Sequence, residues 1–187
     1  MTGAAYGSRV TGFLRFAGVI NAAVWLGAAV LFTFGTGPAV FSEDMRTLLG
    51  PANFPYFSGA VAQVLIVRFF RLQLICAVIA LTQLFATWLY LGRPPGRFTG
   101  GLLAVVLALA LVMDFGFQPH IKKLHLPQHA PNLPVERREA AARSLRLWHR
   151  LAQGTHCCLL IGLTVYLWRV AHPADPSRSL QPRLRLS

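Results

Sequence analysis

The chain contains few cysteines and few acidic residues. Its 187 residues include three cysteines, and 6 Asp and Glu stand against 18 Lys and Arg. Cys76, Cys157 and Cys158 all lie in strongly apolar stretches, which excludes a small extracellular module held together by disulfides. Charged residues make up 13% of the chain, whereas soluble domains usually contain roughly 25%. A soluble globular domain is therefore not expected.

The motifs of common catalytic sites are also missing. The sequence has no glycine-rich phosphate loop, no Ser/His/Asp set and no pair of acids placed for acid–base catalysis. It lacks Cys-x-x-Cys-His, which excludes covalently attached haem. We therefore expect a non-enzymatic protein, with lipid as its natural ligand and no cofactor of its own.

Long hydrophobic runs are what the sequence has in abundance. A helix rises about 1.5 Å per residue, so roughly 20 apolar residues cross the ~30 Å hydrocarbon core of a bilayer. Four runs reach that length: Phe13–Phe34, Leu72–Leu91, Thr99–Phe117 and Leu151–Trp168. They predict an all-α, integral membrane four-helix bundle with the N- and C-termini on the same side. Residues 1–170 form this single membrane domain, residues 171–187 form a basic, flexible tail, and no internal repeat is evident.

Aromatic and basic residues flank these runs as they do in membrane proteins. Trp88, Tyr90, Tyr166 and Trp168 fall at one predicted membrane face, where amphipathic rings favour the headgroup level. The net charge of +12 comes from basic residues near the ends of the runs, where anionic headgroups attract them. The expected partner of this charge is the lipid bilayer and not nucleic acid. The expected location is the bacterial inner (cytoplasmic) membrane, with the termini on the cytoplasmic side.

The first run carries small residues at the spacing of helix–helix contacts. Gly18 and Ala22, and then Ala23 and Gly27, lie four residues apart, which lets a second helix approach closely in lipid. Together with Trp25 they are the predicted helix-packing residues. The same helix is the expected route into a larger assembly, formed with other membrane subunits or with a second copy of the chain.

The connection after the first run predicts a short helix and leaves one question open. Ser42 followed by two acidic residues predicts an N-cap and a helix that ends near Gly50. From Tyr56 to Leu91 no residue breaks the apolar pattern, and a continuous helix would be about 54 Å long. That helix either protrudes beyond the bilayer or breaks near Arg68.

Five polar residues are predicted to meet near the loop side of the bundle. Counting residues from the face that holds the termini brings them to similar heights; they are Arg68, Arg71, Asp114, Gln118 and His149. An ionised aspartate in lipid costs at least ~2.5–3.5 kcal/mol, so Asp114 needs a cation. The two arginines share a helix face and are its natural partners. Two interpretations stay open: a clamp that only locks helix packing, or a site that handles a ligand or a proton.

The histidines define two further sets of candidates. His149 and His156 are seven residues apart and share a helix face, from which either could ligate a haem or pigment shared with another subunit. The other runs hold no histidine, which argues against a bis-histidine haem inside the monomer. A metal site is not expected, and its only candidate ligands are His120, His125 and His129. The prolines between them should prevent a regular helix that would align the three rings.

Four short motifs occur in the same order as in a known family. They are Val24-Trp25-Leu26-Gly27 followed by Pro38 and Phe41, then Phe54-Pro55-Tyr56-Phe57, Gln118-Pro119, and Arg146-Leu147-Trp148-His149. By these motifs, over residues 13–170, the chain resembles the transmembrane protein 205-like family of small four-span membrane proteins. The resemblance implies a four-helix membrane bundle and no defined reaction.

These features together favour an accessory or scaffold subunit of a larger bacterial membrane complex. The alternative is a membrane protein that transports or redox-handles a small solute, a proton or a metal through Arg68, Arg71, Asp114 and His149. A water-accessible cavity at these residues would favour the transporter, whereas an apolar groove filled by a partner would favour the subunit.

Overall fold

The computed structural model describes residues 2–92, 96–129 and 132–172, and every regular element in these ranges is helical. The helices within them are α1 (Thr2–Val30), α2 (Gly37–Val40), α3 (Glu43–Leu49), α4 (Phe54–Leu91), α5 (Arg97–Leu111), α6 (Gln118–His129) and α7 (Val135–Ala171). Two π-helical turns, Leu31–Thr36 and Val112–Phe117, join α1 to α2 and α5 to α6. Residues 173–187 of the predicted tail lie outside the described residues.

Four helical rods are long and apolar enough to cross a membrane. They are Val10–Val40, Phe54–Tyr90, Arg97–Leu124 and Val135–Ala171. α1 packs against α4 and α7, and α5 packs against the same two helices. Arg15, near the start of the span Val10–Val40, donates a hydrogen bond to the carbonyl of Ala171 at the end of α7, at 2.6 Å, so the first span begins on the side where the fourth span ends. The predicted all-α membrane four-helix bundle is therefore confirmed.

α4 is continuous and does not break near Arg68. It runs without a break over 38 residues, from Phe54 to Leu91, which is about 57 Å at the usual rise. Because the hydrocarbon core takes up only about 30 Å, α4 continues beyond it on the loop side. The helix ends at Gly92, whose φ of 61° suits a residue without Cβ and whose N–H donates to the carbonyl of Trp88.

The prediction that prolines prevent a regular helix around His120 is wrong. α6 continues the α5 rod through Pro119 and reaches His129. In the π-helical turn just before it, the N–H of Gln118 donates to the carbonyl of Met113, five residues back. A proline in a regular helix leaves one carbonyl without its N–H donor and places its ring against that carbonyl. At Pro119 the regular hydrogen-bond pattern is already interrupted by the π-helical turn, so the helix accommodates the proline.

The two halves of the chain share a pattern that their sequences alone do not make evident. Both π-helical turns have Phe-Gly at their fourth and fifth positions, and a proline stands two residues after each, at Pro38 and Pro119. Before the turns, Ala22–Ala29 and Leu103–Ala110 show the same order of buried, half-buried and exposed side chains. α1 and α5 therefore occupy equivalent places in the ring of helices, and the hairpins α1–α4 and α5–α7 correspond to each other.

The core lies along the bundle axis, where small residues let the helices approach. Trp25, Leu103 and Leu163 are fully buried there, each at 0% exposure. A Cβ added at Gly162 of α7 would lie 2.8 Å from the side chain of Val106 on α5. Glycine at this position therefore sets how closely α5 and α7 pack.

Candidate functional site

Three of the five residues of the predicted polar cluster line one cleft. Arg68 and Arg71 of α4 and Gln118 of α6 line a cleft of about 370 Å³, together with Gln63 and Lys122. The α4 residues of the cleft lie along one face of α4. The two α6 residues lie four positions apart and therefore share one face of α6. The cleft therefore lies between α4 and α6 near the loop side of the bundle.

Asp114 and His149 do not line this cleft. Asp114 lies half-buried in the second π-helical turn, one helical turn before Gln118, and His149 is exposed on α7. Asp114 forms no ion pair with any residue that the structure describes. The predicted pairing of Asp114 with an arginine is therefore not formed, because the arginines of α4 line the cleft instead.

Polar side chains connect the rods inside the bundle. Asn21 of α1 donates through Nδ2 to the carbonyl of Cys76 on α4, at 2.9 Å. The Thr33 hydroxyl donates to the carbonyl of Ala29 at 2.7 Å and lies 2.8 Å from Nε2 of His156 on α7. Since a hydroxyl has one proton to donate, the imidazole Nε2–H is the donor to Thr33. These bonds tie α1 to both of its neighbours.

Three buried side chains keep polar atoms without a partner among the described residues. These atoms are Nε1 of Trp25, both amide atoms of Gln73 and Nδ1 of His156. The three side chains are 0%, 1% and 8% exposed, respectively. Phe69 lies one turn before Gln73 on α4, and its ring is 5.6 Å from that of His156, so both polar residues belong to one region of the interior. Unpaired buried polar groups are costly, so this region of the interior is less stable than a fully apolar or fully hydrogen-bonded one.

Sequence reasoning missed Gln73 as a site residue, although a signal was present. Gln73 and Gln83 both interrupt the predicted run Leu72–Leu91, and an amide in lipid needs hydrogen-bond partners. Gln83 finds one, because its Nε2 donates to the carbonyl of Leu14 at 2.9 Å. Lys122 is not among the residues predicted from the sequence, because the prolines after Gln118 predict an irregular segment there, whereas the structure has α6.

The two predicted small-residue pairs of α1 face different directions. Gly18 and Ala22 are buried, and Trp25 lies beside them in the core. Ala23 and Gly27 are exposed, and a Cβ added at Gly27 would meet no atom within 4 Å. The first pair holds the bundle together, and the second pair lies on its outer surface.

The candidate metal ligands of the third connection do not form a described metal site. His120 stacks on Trp148 with ring centroids 4.7 Å apart, and its Nδ1 donates to the carbonyl of Gly116 at 2.8 Å. His125 and His129 lie in α6, but their side chains are outside the described residues. Within the described part of the chain, no three His, Cys, Asp or Glu side chains are grouped to hold a metal ion.

The fold and its sites define a four-helix membrane protein with a cationic cleft at one end and polar groups in its interior. The chain belongs to the family described as "Domain of unknown function (DUF4149)", whose model matches residues 20–130. The matched part runs from α1 through α6 and includes both π-helical turns and both walls of the cleft. No curated protein and no solved structure shows a significant match to the chain.

Proposed function

We propose that this protein is a non-enzymatic accessory or scaffold subunit of a larger complex in the bacterial inner membrane, with its termini on the cytoplasmic side. The observation that carries the proposal is the outward direction of Ala23 and Gly27. Bundle packing uses Gly18 and Ala22, whereas Ala23 and Gly27 are exposed, and a Cβ added at Gly27 would meet no atom within 4 Å. The likeness to the transmembrane protein 205-like family of small four-span proteins is part of this proposal.

The partner that fits this surface is a transmembrane helix of another subunit. In lipid, close packing drives helix association, and small residues four apart let two backbones approach. Ile20 and Leu31 lie on the same helix face as Ala23 and Gly27, one turn to either side, and are 49% and 66% exposed. These larger side chains border the notch that the small pair forms, so a helix seated in the notch would contact both.

Gentle purification from native membranes, followed by mass spectrometry and an absorption spectrum, tests the proposal. The wild-type chain is expected to retain a stoichiometric partner. Ala23→Leu combined with Gly27→Leu fills the notch and should weaken retention about tenfold or more, which is ~1.4 kcal/mol. The control variant combines Val78→Leu with Val105→Leu, at outer positions of α4 and α5 that are 61% and 57% exposed and hold no small residue, and should retain the partner.

The outcomes of this experiment separate the possible roles. A wild-type chain without any partner would contradict the subunit proposal, and equal retention by both double variants would exclude the α1 notch as the contact. An absorption band would identify a shared haem or pigment, for which His149 and His156 are the candidate ligands. A second copy in place of another subunit would make the protein a homo-oligomer.

A second candidate function is transport of a small solute, a proton or a metal. The open cleft at Arg68 and Arg71 favours it, because a water-accessible cavity at these residues is what a transporter requires. The unpaired polar atoms of Trp25, Gln73 and His156 also favour it, because polar groups inside a membrane domain commonly mark solute or proton paths. Asp114, half-buried in the second π-helical turn, is the acidic residue that this function would use. A colourless, partner-free oligomer that moves protons or solute in proteoliposomes would support this function over the first.

A further inference from the structure

The cleft between α4 and α6 carries positive charge that the proposed subunit role does not use. Arg68, Arg71 and Lys122 line it together with apolar side chains of α4, and no described carboxylate does. None of these three cations forms an ion pair with another described residue. Like charges gathered around one recess repel each other, so an anion in the recess lowers their energy.

Helix periodicity brings donors to both walls of the cleft. Gln63, Arg68 and Arg71 are among the cleft-lining residues of α4. The cleft-lining residues of this helix are spaced about one helical turn apart, so they follow one face of it. Gln118 and Lys122 lie four apart on α6 and share a face of that helix. One wall therefore offers two guanidinium groups and an amide, and the opposite wall offers an ammonium group and a second amide.

We propose that this cleft binds a phosphate-bearing anion. Guanidinium groups donate paired N–H bonds to phosphate oxygens, and the lysine ammonium adds a mobile point charge. The glutamine amides supply neutral donors for the remaining oxygens. The volume of about 370 Å³ lies within the range of about 300–1,000 Å³ that is usual for small-molecule sites.

The height of the cleft allows two sources for this anion. Arg71 lies about 30 Å from the end of α4 at Leu91, and Gln118 about 32 Å from the start of α5 at Arg97, at the usual rise per residue. This height equals the thickness of the hydrocarbon core, so the cleft opens at the level of the loop-side lipid phosphates. An anionic phospholipid headgroup and a water-soluble phosphomonoester can both reach it.

Snorkelling of basic side chains to the membrane surface does not account for the arrangement. Arg146 and Arg150 of α7 are exposed near the same level, as the three cations of the cleft also are, and they represent the ordinary case of basic residues that extend to headgroups. The cations of the cleft differ because they converge from two helices on one recess that also contains two amides. The exposed arginines of α7 therefore provide a matched comparison.

Ligand binding to the purified full-length chain tests the proposal. The probes are glycerol 3-phosphate added to the detergent-solubilised protein, and nanodiscs of phosphatidylcholine with or without phosphatidylglycerol. The cleft variant combines Arg68→Gln, Arg71→Gln and Lys122→Gln. The control variant removes the same charge from exposed residues of the same side, by Lys123→Gln, Arg146→Gln and Arg150→Gln. The cleft variant should weaken binding about tenfold or more, and the control should stay close to the wild type.

Each outcome supports or overturns the proposal, whether or not a partner subunit co-purifies. Glycerol 3-phosphate binding that only the cleft variant loses identifies a soluble phosphomonoester site. Selective retention of phosphatidylglycerol, lost in the same variant, identifies a lipid headgroup site. Absence of binding to both probes, or equal loss in the two triple variants, overturns the proposal. If the triple cleft variant does not fold, Lys122→Glu alone reverses one charge of the exposed wall and is compared with Lys123→Glu.

Discussion

At the residue scale, two glycines of α1 have opposite roles. A Cβ added at Gly18 would collide with the amide of Gln83, which donates to the carbonyl of Leu14. A Cβ added at Gly27 would meet no atom within 4 Å. The first glycine therefore admits a hydrogen bond between α4 and α1, whereas the second leaves the outer face of the helix open.

Gly18→Ala is expected to be less stable than Gly27→Ala. Both substitutions raise helix propensity equally, by about 1 kcal/mol, so the difference isolates the Gln83 hydrogen bond, which is worth about 0.5–1.5 kcal/mol. Thermal unfolding of the purified chain in detergent measures this difference. Adding Gln83→Ala to Gly18→Ala should cost little more, because the collision is then removed. Equal melting temperatures for the two single variants would show that this contact does not contribute to stability.

The partners of buried polar residues could not be predicted from the sequence. Asn21 and Gln73 both interrupt apolar runs, and both need hydrogen-bond partners in lipid. Asn21 reaches the carbonyl of Cys76, whereas Gln73 has no partner among the described residues. The difference depends on the relative heights of α1 and α4, which side-chain packing sets. The sequence predicts which side chains need partners but not which of them find one.

At the element scale, one aromatic side chain of α7 contacts both the second π-helical turn and the start of α6. Trp148 packs against Phe117 at the end of the π-helical turn, with ring centroids 5.7 Å apart, and against His120, at 4.7 Å. α6 is a polar extension of the α5 rod that packs along α7, and the Trp148 ring forms part of that interface. The Trp148 side chain therefore helps to keep one wall of the cleft in place.

Trp148→Ala is expected to loosen α6 without unfolding the bundle. Each aromatic pair contributes about 0.5–1.5 kcal/mol beyond the burial of area, and the remaining packing of α6 along α7 keeps the helix in place but less firmly. Hydrogen exchange should increase over residues 118–129 and remain low in the buried half of α4. The control is Trp168→Ala, since that ring is 64% exposed and stacks on His172 at the other end of α7. Unchanged exchange in α6 would show that Trp148 does not hold this helix.

The helices could be predicted from the sequence, but the joints between them could not. Apolar runs and caps are local signals: Ser42 caps α3 by accepting a hydrogen bond from the N–H of Met45, at 3.2 Å. Whether Pro119 ends a helix depends on the hydrogen-bond register of the turn before it. That register is a property of the folded rod, so α6 and its side of the cleft were not expected.

At the scale of the whole molecule, the bundle consists of two corresponding hairpins. α1 and α4 form the first, α5 and α7 the second, and each helix packs against one helix of the other hairpin. The contacts between hairpins include Thr33 with His156 and Arg15 with the carbonyl of Ala171. This arrangement could not be predicted by comparing the sequences of the two halves. What the halves have in common is the order of buried and exposed positions and the two π-helical turns, and these become visible only in the folded structure.

The chain is expected to tolerate a cut between the hairpins. The turn between α4 and α5 is short, whereas the interface between the hairpins runs along the full length of the bundle, so two fragments, residues 1–92 and 96–187, should assemble when they are co-expressed. A tag on the first fragment should recover the second from detergent extracts in equal amounts.

Thr33→Val combined with His156→Leu removes a hydrogen bond between the hairpins and should lower that recovery. Thr82→Val should not lower it, because the Thr82 hydroxyl bonds within α4. A control cut inside α4, after Leu72, separates Phe69 from Gln73 in the core and should abolish assembly. If the fragments of the first cut fail to associate, the hairpins are not folding units, and the correspondence between them is one of pattern alone.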